Sequence, residues 1–484
     1  MHPPQKRQKI NNVGDKVAPP PPPHTRLYKH ALESIFAHLS LSDLAHGSAT
    51  CRDWSAAVSS MRPIGAYAYA DKKLLASHNS RLLLRHVAEL HTTDKLRLPK
   101  LAHLRDIIRQ SKSLTAMDLS GGSINAERAS AIAEAIAQSK SLVTLNLCNN
   151  KIGDVGVTAI AEAIKQSKSL ACLDLNNNQI GDEGASAIAE SIAQSTSLVS
   201  VDLSDNLIDK VGISAIAEAI AQSKSMTTLD LNCAELDDAG ASAIAEAIAQ
   251  SKSMTAVDLS YNQIGAEGAE AIAEAIKQST SLTTVILRGN QLGPVGAVSI
   301  AEAIAQSKSL VTMDLDSNEI CVVGAVAITK AIAQNKSLTT MDLDSNEIGD
   351  QGALAIAEAI AHNKSLTAVV LGNNKIGVDG ATAISKAVKQ SKSLVDLDLC
   401  YNAIGDVGAL AIAEAIAQSQ SLATVDVRGN RIGDVGAEAI ADAIKQSKSL
   451  AKIYLAGNRF GSAGVATISE SIKQHKFPIT VDVS

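Results

Sequence analysis

The chain has 484 residues, a formal net charge of −6 and 46% hydrophobic residues, yet only 2% aromatics. So little aromatic bulk argues against several thick globular cores and suits a thin, regular two-layer structure of Leu, Ile, Val and Ala. The charge is split: residues 1–113 carry 18 Lys+Arg and 8 Asp+Glu (+10), residues 114–484 carry 26 and 42 (−16), which argues against nucleic acid as ligand of the acidic part.

Residues 1–26 are polar and hold Pro19–Pro23. They read as a disordered arm with a short polyproline II piece, either a spacer or a ligand for a proline-binding module. Lys6–Lys9 (KRQK) is a weak nuclear-import signal. Residues 27–66 read as a small helical module. Ala31, Leu32, Ile35, Phe36 and Leu39 form one amphipathic helix, Ser42 or Asp43 caps a second segment, and Cys51, Trp54, Ala57 and Val58 form a further stripe. So short a module has little core of its own and lends its apolar face to a partner. Residues 67–113 read as a helical connector and N-terminal cap, in which LAHLRDIIRQSKS (101–113) aligns with 129–141.

From Leu114 the sequence repeats every 28 residues, giving thirteen units over 114–477 and a terminal capping strand at 478–484. The unit 142–169 reads LVTLNLCNNKIGDVGVTAIAEAIKQSKS. Alternation at Leu145 and Leu147 predicts a short strand, and Val157, Ile160, Ala161 and Ile164 predict one helical stripe. The Asn closing LxxLxLxxN (Asn150 to Asn458) is expected to satisfy buried backbone groups, with an irregularity or a bound water where Gly122 and Ala234 replace it. Asp154, Asp182, Asp350, Asp406 and Asp434 read as helix caps.

One strand position holds Asp in nine units, Asp314 and Asp342 among them. The row is either a solvated feature of the repeat or a surface for a basic partner segment. Ile286, Val370 and Tyr454 interrupt it, and Tyr261, Arg288, Tyr401, Arg428 and Lys452 stand nearby. Tyr and Arg are common interface hot spots, so these residues form the candidate target-binding set.

No catalytic constellation, metal site or cofactor motif is predicted. Only His362 and His475 fall in the repeats, DLDSNE (314–319, 342–347) lacks the Gly and twelfth-place Glu of a calcium loop, and no GxxxxGK[ST] occurs. Six Cys are scattered without metal spacing, the N-terminus lacks a secretory signal, and no apolar run reaches about 18 residues. These features predict reduced thiols, no membrane span and a cytoplasmic or nuclear chain, with the NKS sequons at Asn335 and Asn363 inert.

The repeats resemble the ribonuclease-inhibitor-like subclass of leucine-rich repeats. That implies an α/β solenoid: a curved horseshoe with a parallel concave sheet and convex helices. Residues 27–66 resemble an F-box at Leu27, Leu32, Ile35-Phe36, Leu39, Asp43-Leu44, Cys51-Arg52 and Trp54, departing at Tyr28 and His30-Ala31. The resemblance implies a Skp-type adaptor docked on Leu27, Leu32, Ile35, Phe36, Leu39 and Trp54. The repeats would then hold a target protein for a cullin–RING ubiquitin ligase. A scaffold or inhibitor of the ribonuclease-inhibitor type, acting through an acidic concave face, is the alternative.

Overall fold

The computed structural model describes the backbone of residues 67–69 and 89–91, and residues 114–475 and 478–483. The arm at 1–26, the module at 27–66 with Leu27, Leu32, Ile35, Phe36, Leu39 and Trp54, and the half-unit at 101–113 lie outside the described residues.

Among the described residues sixteen strands form one sheet in sequence order, and neighbours pair in parallel. Each repeat contributes a three-residue strand, from β3 (Ala116–Asp118) to β15 (Lys452–Tyr454), and β16 (Thr480–Asp482) follows. The register carries the 28-residue period directly, with Ala116 opposite Thr144 and Thr424 opposite Lys452. Among the described residues thirteen helices, α1 (Ala126–Gln138) to α13 (Ser462–Gln474), link the strands. Strands sit about 4.8 Å apart and packed helices about 8–10 Å, so the stack bends with its strands on the inner side.

The sheet begins before the repeats do. β1 (Tyr67–Tyr69) and β2 (Glu89–His91) pair ahead of β3 at spacings of 22 and 27 residues. The stretch read as a helical connector therefore contains strands, which the uneven spacing hid from a search for a 28-residue period.

The core falls where the periodicity places it. Leu145, Leu147, Val157, Ile160 and Ile164 are fully buried, and equivalent positions continue as one cluster to Ile468. A glycine in every helix after α1 allows close packing: at Gly352 a Cβ would lie 2.3 Å from Ile348 Cγ2.

The Asp near each helix start caps the following helix rather than its own. Asp406 Oδ1 accepts the N–H groups of Gly433 (2.7 Å) and Gly436 (2.9 Å), and Asp154, Asp182, Asp238, Asp350 and Asp434 repeat the arrangement. This bond sets the local backbone. Where Ala126, Ala266, Pro294, Val322 or Val378 replaces the Asp, the next helix starts on a left-handed residue: Gly153, Gly293, Cys321, Gly349 or Gly405, with φ near +60°, whereas after Lys210 the next helix keeps an extended start because Asp237 caps its own helix at Gly240 N. Its N–H then bonds a backbone carbonyl, as Gly405 does to Asn430 O at 3.0 Å. Asp406→Ala is expected to switch Gly433 to the left-handed start and to cost about 1 kcal/mol in urea unfolding, the usual value of a helix cap. A shifted Gly433 amide resonance would report the switch.

The Asn column is a buried ladder. Asn150 Nδ2 donates to the carbonyls of Leu147 (2.7 Å) and Leu119 (3.1 Å), and Oδ1 accepts from Ile124 N (2.9 Å). Ala234 offers no such oxygen to the N–H groups of Asn206 and Ile208 of the preceding unit, the place where the sequence predicts an irregularity or a bound water. Asn335 and Asn363, the two sequon residues, are 3% and 7% exposed. Their Nδ2 atoms donate to Ile304 O (2.6 Å) and Ile332 O (2.7 Å), so both are structural and closed to glycosylation.

Candidate functional site

The row of carboxylates along the inner sheet has a structural task that the sequence reading missed. At each strand end the N–H groups two apart, such as those of Leu119 and Gly121, bond the next strand, which leaves the one between them free. The row Asp supplies its acceptor: Asp118 Oδ1 takes Ser120 N at 3.0 Å, Asp342 takes Asp344 N at 2.9 Å, and Asp398 takes Cys400 N at 2.8 Å. Asn146, in the one uncharged polar case, takes Cys148 N at 2.8 Å. The charge is therefore dispensable for this bond.

Stacking acids on adjacent strands raises their proton affinity. Burial and neighbouring carboxylates push Asp174, Asp314 and Asp398 above the ordinary carboxyl range, and Asp230 and Asp342 up to about 7. At neutral pH these two are about half protonated, so the inner face holds partly neutralised acids that a cation would ionise.

The candidate residues fall into two groups. In the first, Ile286 removes the Asp of its own strand, and Arg288 instead pairs with Asp316, which is 3% exposed, at 2.8 Å. The Arg288 guanidinium lies 5.7 Å from the Tyr261 ring centre, and Asp314 and Asp342 continue the row beside it. In the second, Arg428 Nε donates to both oxygens of Asp426, at 3.0 and 2.7 Å, and its guanidinium stands 5.4 Å over Tyr454. Lys452 is exposed on the same strand as Tyr454, and Val370 stands apart, between Asp342 and Asp398 on the flanking strands. The sequence reading missed Asp316 and Asp344, although their signal was present in the doubled DLDSNE.

Tyr261 and Tyr401 are 50% and 62% exposed and both have φ near +51°. For a bulky residue this left-handed backbone costs about 1–2 kcal/mol. Each ring lies on the glycine of the next turn, Gly289 or Gly429, where a Cβ would sit 2.6 Å from the ring.

Asp398, Cys400 and Asp426 bring their ligand atoms within 4.8 Å of one another. They do not make a fitting metal site: Arg428 already occupies Asp426, and burial with the adjacent Asp398 keeps the Cys400 thiol protonated far above its usual range. His362 and His475 sit at helix ends, away from this face. On the convex side, Val298, Val322, Val323 and Val326 line a shallow groove of about 590 Å³ with Glu302 and Lys330. Among the described residues no helix is long and apolar enough to cross a membrane.

The family model for leucine rich repeats matches ten stretches: 138–161, 166–189, 194–217, 222–245, 250–273, 278–301, 334–357, 362–385, 390–413 and 418–441. The gap between 301 and 334 holds the Val-rich helix Cys321–Gln334 of the convex groove. No curated protein matches the sequence. Among solved structures, an internalin of Listeria monocytogenes is 18% identical, with 85% of this chain and 92% of that chain covered and a TM-score of 0.43. A leucine-rich-repeat protein of Leptospira interrogans, LIC12759, is 18% identical over 86% and 92%, with a TM-score of 0.44. Actin-binding site 2 of leiomodin-1 is 22% identical over 31% of this chain and 87% of that chain, with a TM-score of 0.28. With its unit-per-strand sheet, Asn ladder and ten matched stretches, the chain is an α/β solenoid of leucine-rich repeats, a fold that serves as a protein-binding scaffold.

Proposed function

We propose that the chain is a non-catalytic binding protein whose inner sheet takes a basic segment of a protein partner. The observation that carries this reading is the row of carboxylates on successive strands of the inner sheet, two of which, Asp230 and Asp342, are raised to about 7. A Lys or Arg side chain placed there would displace protons and gain a partly desolvated ion pair. Binding should therefore tighten as pH rises from 6 to 8 and weaken with salt. Titrating the full chain with labelled nona-arginine checks both. Affinity should fall at least about 10-fold between 50 and 500 mM salt, and binding indifferent to salt and pH would refute the reading.

A second reading concerns residues 27–66. Their F-box-like spacing at Leu32, Ile35, Phe36, Leu39 and Trp54 supports a docking segment for a Skp-type adaptor. On that reading the repeats hold a target while the adaptor joins the pair to a cullin–RING ligase, and fixed proximity is the chain's contribution. Co-purification with a Skp-type adaptor tests it. Ile35→Asp should abolish the association, and an undiminished association would remove the support.

A further inference from the structure

We propose that two copies of this chain pair back to back through the outer face of four helices, about a two-fold axis that lies in the contact plane and runs parallel to the helices. The helices are α7 (Gly293–Gln306), α8 (Cys321–Gln334), α9 (Gly349–His362) and α10 (Val378–Gln390), with the axis between α8 and α9. The pairing is independent of the basic-partner reading and leaves the inner sheet of both copies free.

Two rows of side chains along the convex side change character at these helices. In the first row ten units hold an exposed Glu and one holds Asp442, and Lys330 and Lys386 are the exceptions. The order over the four helices is therefore Glu302, Lys330, Glu358, Lys386. The second row lies four residues, about one helical turn, nearer each helix start. Nine units fill it with Ser, Thr, Glu or Ala, whereas Val298, Val326 and Leu354 fill it on three successive helices and Leu410 fills it two helices further on. Val323, beside this row, is 62% exposed, and Leu354 is 52% exposed. A contiguous exposed apolar patch with a charged rim marks an interaction surface.

The chain itself makes little use of the alternating charges. Lysines three residues beyond the first row bridge neighbouring helices, as Lys165 does to Glu190 at 3.0 Å and Lys389 to Glu414 at 3.1 Å. Among the described residues Lys330, Glu358 and Lys386 form no ion pair, and Glu302 has one at 3.9 Å, to Lys277.

A second copy of the same face supplies the missing partners. Rotation about an axis parallel to the helices keeps each side chain at its level and reverses the helix order. With the axis between α8 and α9, Lys330 of each copy meets Glu358 of the other, and Glu302 of each meets Lys386 of the other. At the level of the apolar row, Val326 meets Leu354 in the centre. One helix further on, the same axis would set Thr382 against Leu354 there. Centred among the first six helices or the last three, it would set acid against acid, which repels. The face is thus self-complementary in both charge and apolar character only about α8 and α9. The two convex sides curve away from a shared line of contact, so the buried area stays below the roughly 1,600 Å² of a standard interface, and a dimer Kd of about 10 μM is expected.

Sedimentation equilibrium of the full chain between about 1 and 200 μM should show this dimer. Leu354→Ser should weaken it about 10-fold. Lys330→Glu or Glu358→Lys alone should weaken it about 30-fold or more, because each sets like charges together twice. Ser and Glu stand at these positions in other units, so Leu354→Ser and Lys330→Glu should keep Tm within about 2 °C of the unaltered chain. The decisive sample mixes the Lys330→Glu chain with the Glu358→Lys chain. Each repels its own copies, but one brings two acids where the other brings two lysines, so the mixed dimer should form about as tightly as the original. A chain that stays monomeric over the whole range gives this face to some other occupant and overturns the proposal. A dimer untouched by Leu354→Ser and Lys330→Glu, or a mixture that stays monomeric, overturns it as well.

Discussion

Asn374→Ala is expected to destabilise the repeats by about 3–4 kcal/mol and to divide their unfolding. Asn374 is fully buried. Its Nδ2 donates to Leu343 O at 2.7 Å and Gly372 O at 2.8 Å, and its Oδ1 accepts from Asn346 N at 2.9 Å and Ile348 N at 3.2 Å. Ala leaves two N–H groups without their acceptor where solvent does not reach, and each such orphan costs about 1–3 kcal/mol. The bonds join unit 338–365 to unit 366–393, so the loss falls on one interface. Solenoid stability is a sum of unit and interface terms, and weakening a central interface uncouples the halves. Urea unfolding followed by circular dichroism should show two transitions in place of one. A single transition displaced by less than about 1 kcal/mol would mean that the ladder is not what joins the units.

Asp342→Asn should do the reverse and stabilise the fold at neutral pH. Burial and the neighbouring Asp314, Asp316 and Asp344 raise Asp342 from 3.8 to about 7 in the folded state. A carboxyl whose folded pKa is raised favours folding below the unfolded value, and that contribution disappears as pH climbs through the folded value. Asn keeps the bond to Asp344 N, as Asn146 keeps its own to Cys148 N, and carries no charge. Its advantage over Asp should be nil near pH 4, grow between 4 and 7, and level off above 7. With allowance for partial solvent exposure the plateau is about 1–2 kcal/mol. Asp230→Asn should behave alike, since Asp230 is also raised to about 7. Stability curves measured from pH 4 to 9 check this, and a constant difference between variant and parent would contradict it.

The solenoid was legible because its signal is repeated: Leu145, Leu147, Ile160 and Ile164 mark the same places in every unit, and the register follows. The strands at 67–69 and 89–91 were not legible, since neither obeys the period. The Asp residues show where sequence reading stops. Their column and proximity to a helix start are plain in the sequence, but which helix Asp406 caps depends on how neighbouring units stack. The inner row was legible as a line of charge. Its bond to the next-but-one N–H and its shifted proton affinity come from burial, which sequence spacing does not report. Tyr261, Arg288, Tyr401 and Arg428 were legible as exceptions, whereas the left-handed backbone under the two tyrosines appears only in the folded chain.

The most direct test of a cation-binding inner face is a proton count. Nona-arginine is titrated calorimetrically into the full chain at pH 7, in two buffers of different ionisation enthalpy. If the probe settles on Asp230, Asp342 and their neighbours, binding must release protons, and the apparent enthalpy must differ between buffers accordingly. Binding with no net proton release, or with proton uptake, would place the probe elsewhere and contradict the account.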